Sequence, residues 1–195
     1  MKTYKKTIDA PQLEIFKDTG YNSPREWNNL GYFITVGEFT SPDQNTVIEN
    51  IVKTAGDIAE SAEDHIELIK KEMVEQTGEE VAYIYPTNVC FRGGRAEYER
   101  GIKKGRDYSN NGFYIVPSKG RRMGKMPSQK EVEDIIDAEL DIYTKYVNGE
   151  VYGFTLYDEN GEEITSDYDY YDIEDIREKL GEEWKNENLK DYIRK

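Results

Sequence analysis

One cysteine and one histidine stand in 195 residues, and that scarcity closes several chemistries at once. A lone Cys90 excludes an internal disulfide framework and any multi-cysteine zinc site, and a lone His65 excludes a multi-histidine metal centre. No run of eighteen apolar residues occurs, and the lysine-bearing start MKTYKKTIDAPQ lacks the apolar stretch of a secretory leader. A soluble, cytoplasmic protein is therefore expected, with no membrane partner. Walker A, G-x-S-x-G and H-E-x-x-H sequences are absent. The Arg-Gly-Gly-Arg stretch at 92–95 is no dinucleotide fingerprint, because no strand–GxGxxG–helix unit surrounds it. There is also no internal repeat.

What the chain does have is charge, sorted into blocks. Residues 92–126 carry ten basic side chains against three acids, whereas 1–91 and 131–195 carry net charges of −8 and −14. A basic island within a chain of net charge −14 points to surface potential as part of the function, with a polyanion or a basic protein as partner. Tyrosine is the other abundance, at sixteen residues. A ring that buries while its hydroxyl seeks a partner suits amphipathic sheets and interfaces.

Periodicity supplies the elements. GYFITVGEF (31–39) reads as a strand. Apolar residues stepping by three and four from Asn45 to about Gln76 predict a helix, breakable near Gly56 and stopped at Gly78. VAYIYP (81–86) and NVCFRG (88–93) predict one long strand or two short ones, with Pro86 at an edge or bend. GFYIVP (112–117) is another strand, and the glycine-punctuated stretch before it reads as a long loop with a helical turn. Ser128 and Glu131 form a capping box for a helix lined by Val132, Ile135, Ile136, Leu140, Tyr143 and Val147, ending at Gly149. VYGFTLYD and the segment after Asn160-Gly161 predict a hairpin with a tight primed turn. Asp172 caps a last helix whose stripe runs Ile173, Ile176, Leu180, Trp184 and onward to Ile193. The expected class is α+β, a mainly antiparallel sheet with about three helices packed on it. A single domain over 1–195 is expected, subdividing if at all into 1–126 and an acidic 127–195.

The basic island offers Arg92, Arg95, Arg100, Lys103, Lys104, Arg106, Arg121 and Arg122 as nucleic-acid contacts, with aromatic residues interleaved for base stacking. A solvated loop that offsets the acidic remainder is the plainer alternative, and contact with an acidic protein face is the third. The run Asp167, Asp169, Asp172, Glu174 and Asp175 can imitate a phosphate backbone and occupy a basic channel. A highly soluble surface has the same composition. Catalysis has thin support. His65 reads as a surface or boundary residue of its helix, and a Cys90–His65 nucleophile pair lacks a readable third group. Glu38, with Asp134, Asp137, Glu139 and Asp141, could hold Mg²⁺ for phosphodiester cleavage, and Asp134, Asp137 and Asp141 share one helix face. No other cofactor is implied.

Two segments carry a resemblance. Ser23-Pro24-Arg25-Glu26-Trp27-Asn28-Asn29-Leu30-Gly31 resembles the S-P-R-E-W-D-N-L-G signature of small phage and mobile-element proteins, with Asn28 in place of the more usual Asp. ELDIYTKYVNGEVYGF (139–154) resembles a later segment of the same proteins. Together they cover about 25 positions, and the histidine- and tryptophan-rich middle of that group is replaced here by the basic island. Some similar proteins are anti-defence factors, including type II anti-CRISPR proteins that disable Cas9 or its guide RNA. The resemblance therefore implies an inhibitor acting in a host bacterial cell on a Cas9-type nuclease, its guide RNA or both. A metal-dependent ribonuclease that shortens the guide, with Glu38 as its acid, and a phage regulatory or assembly protein are the alternatives. In local terms Ser23 can cap a short helix with Pro24 first and Glu26 third, leaving Trp27 and Leu30 to anchor it in the core.

Overall fold

The structure, a computed structural model, describes residues 12–36, 40–103, 108–119 and 126–194. In chain order the strands are β1 (Gln12–Lys17), β2 (Tyr32–Thr35), β3 (Val81–Arg92), β4 (Arg95–Arg100), β5 (Tyr108–Pro117), β6 (Tyr152–Tyr157) and β7 (Glu163–Tyr170). The helices are α1 (Thr46–Ile58), α2 (Ala62–Thr77), α3 (Gln129–Val147) and α4 (Ile173–Lys179). Every pairing between these strands is antiparallel, a single parallel bridge joining Ile15 of β1 to Ile193 among the described residues, and the class is α+β. The chain divides into two compact units, Ser23–Thr144 and a discontinuous one made of Met1–Asn22 with Lys145–Lys195. The division thus falls at 22/23 and 144/145, not at 126/127.

The larger unit is built on a four-stranded sheet in the order β2-β5-β3-β4. Ile34, Phe113 and Ile115 on its strands pack with Ile48, Ile51, Val52, Ile69 and Met73 of α1 and α2. The predicted single helix over 45–76 is two helices, and the break is at 59–61 rather than at Gly56. The reason is local. Ser61 Oγ accepts the Asp64 amide and the Asp64 carboxylate accepts the Glu60 amide, a reciprocal cap that starts a new helix. Gly56 instead lets α2 approach, since a Cβ there would lie 3.0 Å from the His65 ring. The stretch after Gly93, expected as a loop, contains β4. Gly93 and Gly94 have φ of +55° and +82° between the paired Arg92 and Arg95, the two-residue primed hairpin that glycine pairs favour. Pro86 lies where pairing of β3 with β4 ends, so its missing amide falls beside an open edge, and its carbonyl accepts from Gly101.

The smaller unit is a three-stranded sheet, β1-β6-β7. Leu13, Ile15, Phe154 and Leu156 pack with Ile173, Ile176, Leu180, Trp184 and Leu189. β1 was not among the expected strands. The β6–β7 hairpin is present, but its turn is not the predicted primed pair. Asp158 accepts the Asn160 and Glu162 amides, and Gly161 alone of the three loop residues takes positive φ, the geometry of a three-residue loop closed by a bulge. The last helix is shorter than its apolar stripe. It ends at Lys179 before Gly181, and the rest of the stripe is buried by two 3-10 turns, Glu182–Trp184 and Leu189–Tyr192.

Candidate functional site

Ser23–Gly31 folds around a buried arginine. Ser23 Oγ accepts the Arg25 amide, Pro24 occupies the first position of a 3-10 turn, and the Asn29 amide group ties the turn to the Pro24 and Trp27 carbonyls. Arg25 is 8% exposed. Its Nε and one terminal nitrogen donate to the two Asp43 oxygens at 2.9 Å, while its other terminal nitrogen donates to Glu139 of α3 at 2.9 Å. The Gly31 carbonyl accepts a further bond at 2.8 Å. Glu139 also accepts the Leu30 amide and the Tyr114 hydroxyl, and Tyr114 accepts the Gly31 amide. Burial works against the Arg25 charge, but the Asp43 bonds and surrounding negative charge hold its pKa above the ordinary value. Burial, then the Glu139 charge, pushes the Tyr114 hydroxyl up. Gly31 is obligatory here, since a Cβ would meet the Ile115 carbonyl oxygen at 2.2 Å. Leu30 is buried as expected, whereas Trp27 is 47% exposed and does not anchor the turn in the core. The two segments that carried the sequence resemblance therefore meet through Arg25 and Glu139. The partner role of Asp43 had no local signature.

The basic island is only partly within the described residues. Arg92 and Arg95 are exposed at the β3–β4 hairpin tip beside the exposed ring of Phe91. Arg100 is engaged: it grips Asp137 of α3 bidentately at 2.9 Å, faces Glu133 at 3.6 Å and lies over the Tyr85 ring. Lys103 pairs with Glu99. Lys104, Arg106, Arg121 and Arg122 lie outside the described residues, as does the candidate acid Glu38.

The carboxylates proposed for metal do not converge. Glu139 turns inward to Arg25, Asp137 holds Arg100, Asp134 pairs with Lys130 at 3.1 Å, and Asp141 is exposed. Among the described residues no group of three or more His, Cys, Asp or Glu could hold a metal ion. His65 is a half-buried boundary residue; its Nε2 must donate to the Val52 carbonyl at 2.9 Å, and its ring meets Phe113 edge-on. Cys90 is buried in β3.

The acidic run lies wholly within the described residues. Asp167, Asp169, Asp172, Glu174 and Asp175 are all exposed; of the residues between them Tyr171 and Ile173 are buried, Tyr170 is half-buried and Tyr168 is exposed. They occupy the end of β7, an edge strand, and the start of α4. The Tyr170 hydroxyl and the Tyr168 amide hold the Asp167 carboxyl below its usual range, and Arg177 does the same for Glu174. Asp172 caps α4 through the Glu174 amide and faces Lys145 at 3.9 Å. Asp169 takes φ of +67°, in the left-handed region that Asp tolerates better than most residues. Burial, then the Asp169 charge, pushes the Tyr171 hydroxyl up to about 12. The arrangement is an anionic rim on a buried apolar backing.

No family model, no curated protein and no solved structure matches the chain. Among the described residues no helix is long and apolar enough to cross a membrane.

Proposed function

We propose that this chain is an anti-defence protein of a phage or mobile element that inhibits a Cas9-type nuclease by occupancy. Its anionic rim on β7 and α4 competes for a cationic nucleic-acid channel. The observation that carries the reading is the disposition of Asp167, Asp169, Asp172, Glu174 and Asp175. All five face solvent, and the buried Tyr171 and Ile173 hold the backbone on either side of Asp172. Fixed anions attract a cationic groove without the ordering cost that a floppy acidic tail incurs on binding. The Arg92–Arg95 hairpin tip, with the exposed Phe91 beside it on β3, offers a second contact suited to guide RNA, guanidinium to phosphate and ring to base. The resemblance of Ser23–Gly31 and Glu139–Phe154 to phage proteins agrees with this reading and names the class of target.

The test mixes the purified chain with Cas9 and guide RNA, adds target DNA, and resolves DNA and guide together on a denaturing gel. Protected target with an intact guide is the expected result. Target cut at the uninhibited rate across several Cas9 orthologues would refute it, and a shortened guide would replace occupancy by cleavage.

A further inference from the structure

Asparagine followed by glycine occurs three times, at Asn111-Gly112, Asn148-Gly149 and Asn160-Gly161. The pair is chemically reactive, because glycine has no side chain to hinder attack of its own amide nitrogen on the asparagine side chain. That attack needs a backbone free to bend, and the fold gives the three pairs unequal freedom.

Gly112 belongs to β5, where it pairs with Thr35 of β2 and with Thr87 of β3. Reaction there requires the middle of a sheet to part. Gly149 follows α3. Its amide donates to the Tyr146 carbonyl, the next amide donates to the Lys145 carbonyl, and Val151 just beyond is fully buried. Asn148 itself is half-buried. Asn160 and Gly161, in contrast, are exposed at the tip of the β6–β7 hairpin. The bonds that hold this pair lead to one residue, Asp158. Its carboxylate accepts the Asn160 and Glu162 amides at 2.8 Å and the Asn160 side-chain nitrogen at 3.2 Å, and its carbonyl accepts the Gly161 amide at 3.0 Å. No residue from Asp158 to Glu162 is buried, so opening this clasp is a local event that leaves the core closed.

We propose that Asn160 is the Asn-Gly site at which the folded chain deamidates, with opening of the Asp158 clasp setting the rate. The Gly161 nitrogen bonds to Cγ of Asn160. The side-chain nitrogen leaves as ammonia, carrying the proton that the Gly161 nitrogen gives up. Water then opens the resulting succinimide at either carbonyl. Opening at Cγ gives aspartate, and opening at the main-chain carbonyl gives isoaspartate, which inserts one more carbon into the backbone of the loop. Either product adds a carboxylate to a tip that already carries Asp158, Glu159 and Glu162. The site stands at the end of β7 away from Asp167–Asp175, and it stands whether or not those acids meet a nuclease.

The whole chain is aged in mildly alkaline buffer, folded and, in parallel, in concentrated guanidinium chloride. Each Asn-Gly pair is followed by peptide mass mapping, and isoaspartate is counted by enzymatic methylation. In denaturant the three pairs should react at similar rates. In the folded chain Asn160 should outpace Asn111 and Asn148 by about tenfold or more, since only its backbone opens without disturbing a sheet or a helix end. Asp158→Ala should raise the Asn160 rate towards its value in denaturant, with far-ultraviolet circular dichroism confirming that the variant is folded. Asn111 or Asn148 keeping pace with Asn160 in the folded chain, Asn160 surviving there intact, or an unchanged Asn160 rate in Asp158→Ala would overturn the proposal.

Discussion

Arg25 joins three separate stretches of chain: its own turn, the Asp43 region before α1, and α3 through Glu139. An arginine suits this place because its planar fork satisfies both Asp43 oxygens while a further nitrogen reaches Glu139. Removing it strands two carboxylates in a largely buried site. Arg25→Met should destabilise the larger unit by about 3–5 kcal/mol, read as a lower urea midpoint at unchanged slope. Arg25→Lys should fall between, since an ammonium cannot reproduce the bidentate geometry. Tyr114 adds a pH dependence. Its folded-state pKa lies above the unfolded value of about 10, so the stability tied to its proton is complete below that pH and is lost as pH climbs beyond it. Tyr114→Phe should cost about 1–3 kcal/mol near neutrality, because it orphans the buried Gly31 amide, and should flatten the alkaline fall in stability. Equal alkaline slopes for the two proteins would place the sensitivity elsewhere.

At the scale of elements, short-range chemistry decided what could be read in advance. The α3 helix was legible because Ser128 and Glu131 announce its start and its apolar stripe persists for four turns. The Asp172 cap was legible for the same reason, but the length of α4 was not, since a stripe spaced for a helix is equally buried by 3-10 turns after Gly181. β4 was hidden by its own composition. Arg-Ala-Glu-Tyr-Glu-Arg has little β propensity, and its place is won by the Gly93-Gly94 turn and by Tyr98 packing against Phe33 and Tyr143. β1 was overlooked although Leu13 and Ile15 alternate with Gln12 and Glu14, because the run is short and its partner β6 lies nearly 140 residues later. The acidic rim was legible as composition, and its exposure followed from the apolar residues interleaved with it. The pairing of Arg25 with Glu139 was not, because it needs two segments more than a hundred residues apart. A direct check on the hairpin is Gly94→Ala. It places a Cβ at φ of +82° and should cost about 1–2 kcal/mol, with faster amide exchange confined to β4 and its partner residues on β3. Unchanged exchange there would mean that the turn is not what holds β4.

For the molecule as a whole, a net charge of −14 with a strongly basic central block sets long-range fields that act before any contact forms. Inhibition by an anionic rim should therefore weaken as salt rises, because exposed charges are screened beyond about 8 Å at physiological ionic strength. The decisive experiment neutralises the rim without disturbing its backing. Asp167→Asn, Asp169→Asn, Asp172→Asn, Glu174→Gln and Asp175→Asn are combined, Asn at 172 being able to keep the helix cap. Target cleavage by Cas9 is then measured against concentrations of both proteins. The account predicts that the parent chain protects target DNA with the guide intact, and that the neutralised chain, equally folded, loses that protection. Protection undiminished in the neutralised chain would contradict it.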